Sequence, residues 1–305
     1  MELSRQTCPA CHRELLPGLQ PWHMTCGNCG YERASFTPNV NPSKAHTLID
    51  ESSRELGLKE LRKGNFKKLL QVIANHEPPG RRLLDVGCGH GWFVELAGNH
   101  FSVLGLEPDA TVASSAGAAV RRGYFPDALE AAERFDVIVF NDVIEHIPDI
   151  DATFAECRAR LNPNGILLLN LPNSSGIIYR VSKLLLRLGM PSFFERLWQK
   201  DLPSPHIHYF NPCNLPAVLR RHGFVTDEIG RLETLRLSGL HGRITYTGNY
   251  GVGTRWLIYV AAACSLPLLK RLPNDIFYVL ARSRSSVTFD TNKPDGRVTE
   301  SHGLG

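Results

Sequence analysis

Four cysteines near the amino terminus form two C-x-x-C pairs: Cys8, Cys11, Cys26 and Cys29. Each pair offers two sulfur ligands from one tight turn, and two such pairs close a tetrahedron around zinc. A site closed by four thiolates leaves no position for a substrate. A structural zinc ribbon is therefore favoured over a catalytic zinc that uses His12 or His23.

A glycine-rich turn in the middle of the chain indicates a ligand site. The apolar stretch in LLDVGCGHGWF runs into one acid and three alternating glycines: Asp85, Gly87, Gly89 and Gly91. Glycines at the carboxyl end of a strand let a ligand approach the backbone closely. A dinucleotide is disfavoured, because that motif needs its third glycine at Trp92 and because Asp85 repels a pyrophosphate. The acid favours a cationic ligand instead.

Two further segments carry titratable side chains. Asn141, Asp142, Glu145 and His146 follow the apolar run FDVIVF. At the carboxyl end of a central strand they lie above the ligand, where a histidine can act as a base near neutral pH. An acid-rich first turn of a helix is the structural alternative. Farther along, alternation places His206 and His208 on one face, where each contacts either a substrate or nearby backbone.

The elements around these motifs alternate between apolar strands and helices. The alternation starts at RLLDVG, continues through FSVLGLE, FDVIVFND and GILLLNLP, and closes with DIFYVLARS. Such alternation predicts parallel pairing and a doubly wound α/β sheet. The predicted organisation is a zinc ribbon at 1–36, a linker at 37–55, the α/β domain at 56–285 with a substrate-side insert at 173–210, and a flexible tail at 286–305.

Composition narrows the class of protein. The chain has 305 residues, 43% of them hydrophobic, with 34 basic and 30 acidic side chains, which excludes a disordered or fibrous protein. A net charge of +4 without a concentrated basic run disfavours nucleic acid as a partner. The first residues lack the apolar stretch of a signal peptide, so we expect a cytoplasmic protein. The apolar run Trp256–Leu269 is shorter than the roughly 20 residues that span a bilayer.

The order of strand, glycine motif, helix, second strand and Glu107 resembles the class I S-adenosylmethionine-dependent methyltransferases over about residues 60–285. The resemblance implies a seven-stranded, mostly parallel Rossmann-like sheet with S-adenosylmethionine as cofactor. It implies that the glycines line the methionine end, that Glu107 binds the ribose and that Phe125–Ala128 lies near the adenine. The cofactor-binding residues that it implies are Asp85, Gly87, Cys88, Gly89, Gly91, Glu107, Phe125 and Asn141.

The segment from Asn141 to Pro148 is similar to the post-strand motif of ubiquinone-biosynthesis O-methyltransferases, which contains an acid-x-x-Glu-His sequence. This resemblance leaves two alternatives open. Either Asp142, Glu145 and His146 bind a divalent ion such as Mg²⁺, or His146 is the general base and Glu145 caps a helix. His208 is the further catalytic residue that the family resemblance suggests.

The acceptor class stays open at this point. A quinone or other lipid-like phenol, a glycan and RNA compete, and RNA has the weakest case because no arginine-rich and aromatic-rich surface is evident. A binding module without turnover is the non-enzymatic alternative. In Gly176–Met190, an apolar helical face lies beside a basic face with Arg180, Lys183 and Arg187, which is typical of peripheral membrane contact or of a lid over the active site.

Overall fold

The computed structural model describes residues 7–38, 51–234 and 251–283, except 79, 118 and 270. The strands are β1 (Leu16–Pro17), β2 (His23–Thr25), β3 (Glu32–Ala34), β4 (Arg82–Val86), β5 (Ser102–Glu107), β6 (Val120–Arg122), β7 (Phe135–Asn141), β8 (Leu161–Pro172), β9 (His208–Tyr209), β10 (Phe224–Arg231) and β11 (Ile276–Ser283). The helices are α1 (Glu51–Ala74), α2 (Trp92–Ala97), α3 (Ala110–Ser115), α4 (Ile150–Arg160), α5 (Ile177–Arg187), α6 (Ser192–Leu197), α7 (Asn214–Arg221) and α8 (Val252–Leu269).

The main sheet has seven strands in the order β10-β11-β8-β7-β4-β5-β6. The pairs from β8 through β6 are parallel, whereas β11 pairs antiparallel with both β8 and β10. The order reverses at β4, so the crevice beyond the carboxyl ends of β4 and β7 is the expected ligand site. The prediction of a doubly wound, mostly parallel Rossmann-like sheet is confirmed.

Alternate residues of the central strands pack on opposite faces of this sheet. In β7, Ile138 and Phe140 belong to one buried cluster, while Val137 and Val139 belong to another. The continuous apolar runs that the sequence shows are therefore the mark of strands covered by helices on both faces. Burial on both sides fixes the strand register, and the register fixes where the loops at the strand ends lie.

One helix is shorter than the sequence suggested. The alanine-rich stretch predicted a helix over Ala110–Val120, but α3 ends at Ser115, and Val120 begins β6. Gly117 has a φ of 94°, a left-handed conformation that stops a helix. The start of α3 is fixed by Asp109, whose side chain accepts hydrogen bonds from the Thr111 and Val112 amides.

A second, four-stranded sheet joins the cysteine-rich segment to the insert. Its order is β1-β2-β3-β9, and β9 comes from the 173–210 insert. Cys8, Cys26 and Tyr31 of this segment are buried in the same apolar cluster as residues of the central strands. The ribbon is thus packed into the main core. The proposed domain boundaries stay a prediction, and most of the linker and the whole tail lie outside the described residues.

No helix in the described part of the chain is long and apolar enough to cross a membrane. Helix α8 contains the apolar run Trp256–Leu269, and its side chains of Trp256, Leu257 and Val260 are exposed.

Candidate functional site

The glycine turn after β4 forms an open cradle. Gly87, Gly89 and Gly91 have φ values of 68°, 53° and 71°, so all three need the left-handed conformation that glycine adopts without strain. A Cβ at Gly87 would lie 2.7 Å from a Val143 methyl, whereas a Cβ at Gly89 would meet nothing within 4 Å. The space over Gly89 is therefore open for a ligand to approach the backbone.

Asp85 forms the floor of this cradle. It is 1% exposed, and one of its carboxylate oxygens accepts a hydrogen bond of 3.2 Å from Asn141 Nδ2. Burial raises the pKa of Asp85 to about 8, since the Asn141 bond offsets only part of the desolvation and the charge of Glu107 adds to it. A cationic group in the cradle would stabilise the carboxylate and reverse this shift.

Glu107 lies at the end of β5 on the next strand. Its two oxygens accept the amides of Gly89 and Asp109, each at 2.9 Å, so the carboxylate is tied to the glycine turn itself. Burial raises the pKa of Glu107 above its ordinary value in spite of these two bonds. The Cys88 thiol packs over Gly105 of β5, since a Cβ at Gly105 would lie 2.7 Å from the Cys88 sulfur. The same thiol donates to the Gly89 carbonyl of the cradle at 3.8 Å.

Phe125 follows β6 at the same edge of the sheet. Its ring meets Phe140 edge to face at a centroid distance of 5.8 Å. The partly buried Phe125 and Ala128 pack against the core beside the cradle. The structure therefore brings together at one sheet edge the residues that the sequence assigned to the cofactor.

A second group of side chains lies in the turn after β7. Glu145, His146 and His206 place one ligand atom each within 4.8 Å of one another. Glu145 is 1% exposed, and neither of its carboxylate oxygens has a hydrogen-bond partner among the described residues. Burial, and then the charge of Asp142, raise the pKa of Glu145 well above its usual range. A buried carboxylate without partners calls for a proton or a cation.

The position of His146 suits either role that the sequence left open. Its Nδ1–H donates to the Pro205 carbonyl at 3.0 Å, and this bond fixes the tautomer in which Nε2 is the accepting nitrogen. The ring of His206 lies edge-on at 4.7 Å from that of His146. Nε2 is therefore the ring nitrogen on which His146 would accept a proton or bind a metal.

Asp142 and His208 are not among the side chains that place a ligand atom within 4.8 Å of the others, although the Asp142 charge acts on Glu145. Asp142 is 3.6 Å from the Arg62 guanidinium, an ion pair that the sequence did not predict. His208 Nε2–H donates to the Ile147 carbonyl, and its Nδ1 accepts from the Tyr31 hydroxyl. Burial lowers the pKa of His208 to about 3. With both nitrogens occupied, His208 has a structural contact in place of the predicted catalytic one.

The cysteine cluster has the geometry that zinc needs. The sulfur of Cys8 lies 3.5 Å from that of Cys29, that of Cys11 lies 3.4 Å from that of Cys26, and all four lie within 4.8 Å of one another. In a tetrahedron with Zn–S bonds of about 2.3 Å, sulfurs are about 3.8 Å apart. His23 is not a ligand candidate, because its ring contacts the Leu19 amide and Glu32.

One buried network escaped the sequence analysis. Glu32, 3% exposed, accepts hydrogen bonds of 2.7 Å from His23 Nε2 and from the Tyr179 hydroxyl, and it pairs with Lys183. The network links the ribbon to α5. A lone glutamate in a three-residue strand carries no sequence signal of such a role, because its partners lie far along the chain.

Comparisons with known proteins agree with this geometry. Residues 58–229, more than half of the chain, match a family described as a methyltransferase domain. The chain belongs to the class I S-adenosylmethionine-dependent methyltransferases. The open cradle over Gly89 and the buried Asp85 fit the cationic methionine end of that cofactor, and Glu107 offers acceptors for a ribose.

Two curated relatives are ubiquinone biosynthesis O-methyltransferases. The protein from Azorhizobium caulinodans is 36% identical over 164 residues, 49% of this chain and 61% of that protein. The protein from Xanthomonas axonopodis pv. citri is 29% identical over 179 residues, 54% of this chain and 71% of that protein. Across the curated relatives, the chain spans between 39% and 71% of their length.

A solved structure supports the fold alone. Phosphoethanolamine N-methyltransferase 2 from Haemonchus contortus, in complex with S-adenosyl-L-methionine, has a TM-score of 0.52 to this chain at 15% sequence identity. The match covers 83% of this chain and 62% of that one.

Proposed function

We propose that this protein transfers a methyl group from S-adenosylmethionine to a hydroxyl of a small-molecule, quinone-like, lipid-like or glycan acceptor. One observation carries the proposal. An open glycine cradle over a buried acid follows β4, and a histidine that donates from Nδ1 to a backbone carbonyl follows the neighbouring parallel strand β7. The matched methyltransferase family and the relatives named O-methyltransferases support it.

S-adenosylmethionine, when bound, supplies an electrophilic methyl group on its sulfonium. Asp85 holds the cationic methionine end, Glu107 orients the ribose hydroxyls, and Asn141 keeps Asp85 in position. Because the electrophile comes with the cofactor, most of the rate enhancement is expected from orienting the acceptor.

His146 takes the proton of the acceptor hydroxyl on its Nε2. An alcohol is nearly fully protonated at neutral pH, so removing its proton as the new bond forms lowers the barrier. His146→Ala is expected to lower kcat by about a hundredfold to ten-thousandfold while the affinity for S-adenosylmethionine stays within about twofold. Full turnover in His146→Ala would reject this role.

A divalent ion is the alternative role of the same group. The Glu145 carboxylate and the rings of His146 and His206 would hold such an ion, which would polarise the acceptor oxygen. His206 would have to exchange one of its two side-chain contacts, with Gln199 or with Tyr209, for the metal. One carboxylate with two imidazoles suits manganese, iron or zinc better than Mg²⁺, which prefers oxygen ligands. Activity that is lost in a chelator and restored by one metal would support the ion, provided that the metal restores no activity in Glu145→Gln. A chelator-insensitive rate would leave His146 as a simple base.

Access for a lipid-like acceptor is the finer part of the proposal. Val181, Leu184 and Leu188 on or beside α5 are 41%, 55% and 66% exposed, so the apolar face of this helix points outward. Arg180 and Arg187 are exposed on the same helix. This combination supports peripheral contact with an anionic membrane surface, whereas a lid would bury the apolar side.

We also propose one structural zinc per chain, held by Cys8, Cys11, Cys26 and Cys29. The four sulfurs close the site, so the ion would supply fold stability and no open position for chemistry. Elemental analysis should find one zinc per chain, lost in the Cys26→Ser, Cys29→Ser double variant. Protein purified without chelator that contains no metal would rule the site out.

A further inference from the structure

The second cysteine turn is held by side chains of the α/β domain. Asn211 Nδ2 and Asn214 Nδ2 both donate to the Cys29 carbonyl, at 3.1 and 3.2 Å, and the Ser174 hydroxyl donates to the Gly30 carbonyl at 3.4 Å. The two asparagines are 6% and 1% exposed. Buried amides hold carbonyls firmly, because breaking these bonds leaves polar groups without water.

The same two asparagines organise the start of α7. Asn211 Oδ1 accepts the Cys213 and Asn214 amides, and Asn214 Oδ1 accepts the Asn211 amide. In each side chain, the oxygen therefore accepts amides from the segment at the start of α7, and the nitrogen donates to the cysteine turn. This pair of residues forms an asparagine clamp between the ribbon and the α/β domain.

From the clamp, the chain leads back to the catalytic group through β9. Strand β3 pairs with β9, and the Ala34 amide donates to the Ile207 carbonyl at 2.9 Å. The Ile207 amide in turn donates to the Glu145 carbonyl at 2.7 Å. The residue before Ile207 is His206, whose ring faces His146. The backbone from the cysteine turn into β3, and then the hydrogen bonds at Ala34 and Ile207, thus connect the cysteine turn to the turn that carries Glu145 and His146.

We propose that the zinc ribbon positions the acceptor side of the active site, with Asn211 and Asn214 as positioning residues. The inference rests on the proposed function for its catalytic meaning. Without metal, the ribbon turn loses its anchor, and the segment 205–210 loses the strand on which it lies. The cofactor cradle is built on β4 and β5 and shares none of these bonds, so it should be unaffected.

Zinc removal tests this coupling in the full-length protein. After zinc is stripped with a chelator, hydrogen–deuterium exchange of the 206–210 amides should rise at least tenfold. Exchange in β4 and the affinity for S-adenosylhomocysteine should change less than twofold. If the 206–210 amides stay as protected as in the zinc-bound protein, the ribbon does not position this segment and the inference fails.

A substitution in the clamp tests the same coupling from the side of the α/β domain. Asn211→Asp keeps the accepting oxygen of the clamp and removes the donor to Cys29. Zinc release to a chromophoric chelator should become about tenfold faster, by analogy with outer-shell partners of metal sites. Asn99→Asp, which alters an exposed amide bonded to the Leu96 carbonyl, is the matched control and should release zinc at the wild-type rate.

The substitution also separates positioning from mere folding. In methyl transfer, Asn211→Asp should raise KM for the acceptor or lower kcat, while KM for S-adenosylmethionine stays unchanged. Should Asn211→Asp fail to fold, Asn214→Asp replaces it, and the chelation experiment needs no variant. Unchanged zinc release together with unchanged acceptor kinetics would overturn the inference. Failure of the proposed function would appear differently, as absent cofactor binding. It would leave the zinc and exchange measurements interpretable, because these measurements need no acceptor.

Discussion

Two buried acids in this protein have raised pKa values, and a cationic ligand beside either one would favour its charged form. Asp85 has one side-chain hydrogen bond, from Asn141, and a pKa of about 8, and the two carboxylate oxygens of Glu145 have no hydrogen-bond partner among the described residues. Natural proteins rarely bury a carboxylate in this way without a functional reason. Each acid lies where the proposed chemistry needs a negative charge: Asp85 under the cofactor and Glu145 beside the acceptor.

Cofactor binding should therefore release a proton from Asp85. At pH 7 a carboxyl with a pKa of about 8 is mostly protonated, and a cationic ligand above it favours the charged form. Binding of S-adenosylmethionine should release close to one proton and tighten as the pH rises from 6 toward 8. Calorimetry in buffers of different ionisation enthalpy measures this release. In Asp85→Asn it should fall toward zero, and equal release in both proteins would exclude Asp85 as the source.

The open space over Gly89 gives a second test at this scale. Gly89→Ala should fold, because its Cβ meets no protein atom, but the methyl group enters the cradle. We expect an affinity for S-adenosylmethionine about 10- to 100-fold weaker, the effect of about 1 to 3 kcal/mol of overpacking. Gly189→Ala is the control, since Gly189 also has a positive φ, 83°, and open surroundings. Equal affinities in the two variants would place the cofactor elsewhere.

At the scale of elements, the Glu32 network fixes α5 on the ribbon. Burial alone would raise the pKa of Glu32, but the His23 hydrogen bond and the Lys183 charge bring it below its ordinary value. A carboxyl whose folded-state pKa is depressed stabilises the fold above its unfolded pKa of about 4.3, and this stability is lost as the pH falls through the lower folded value.

Glu32→Gln should reduce the free energy of unfolding by about 2 to 4 kcal/mol at neutral pH, because it leaves buried donors and Lys183 without their charge partner. Its stability should also fall less steeply below pH 4 than that of the wild type. Glu195→Gln, which breaks a more exposed pair with Lys200, should reduce the free energy of unfolding much less than Glu32→Gln does. Denaturant titrations across pH measure both. A similar cost in the two variants would mean that burial adds nothing to the Glu32 network.

Most strands of the main sheet could be predicted from sequence, with the exception of the three-residue β6, whereas the second sheet could not. Local apolar runs and the glycine turn place β4, β5 and β7, since burial on both faces leaves a continuous signal. Strand β9 has two residues, and its partner β3 lies far away in sequence, so no local pattern reveals the pair. Alternation places His206 and His208 on one face, but His208 contacts Tyr31 and the two histidines have different roles. This contact could not be predicted either, because Tyr31 lies far from His208 in sequence.

At the scale of the whole molecule, α5 and α8 present exposed apolar side chains. Sedimentation with anionic phospholipid vesicles should show binding that weakens as salt rises. Leu184→Glu together with Arg187→Gln should abolish binding. Lys183 is left unchanged because it pairs with Glu32. The control is Ile229→Glu on β10, a site that is 42% exposed. No binding at low salt would shift the acceptor toward soluble sugars or metabolites.

Methyl transfer from isotopically labelled S-adenosylmethionine tests the central claim most directly. The purified protein is incubated with fractionated lipid and metabolite extracts, and the products are searched by mass for one added labelled methyl group. The account predicts one labelled acceptor class with the wild-type protein and a rate lower by about a hundredfold to ten-thousandfold with His146→Ala. A protein that binds the cofactor and labels nothing in any fraction, or labels equally well without His146, would contradict it.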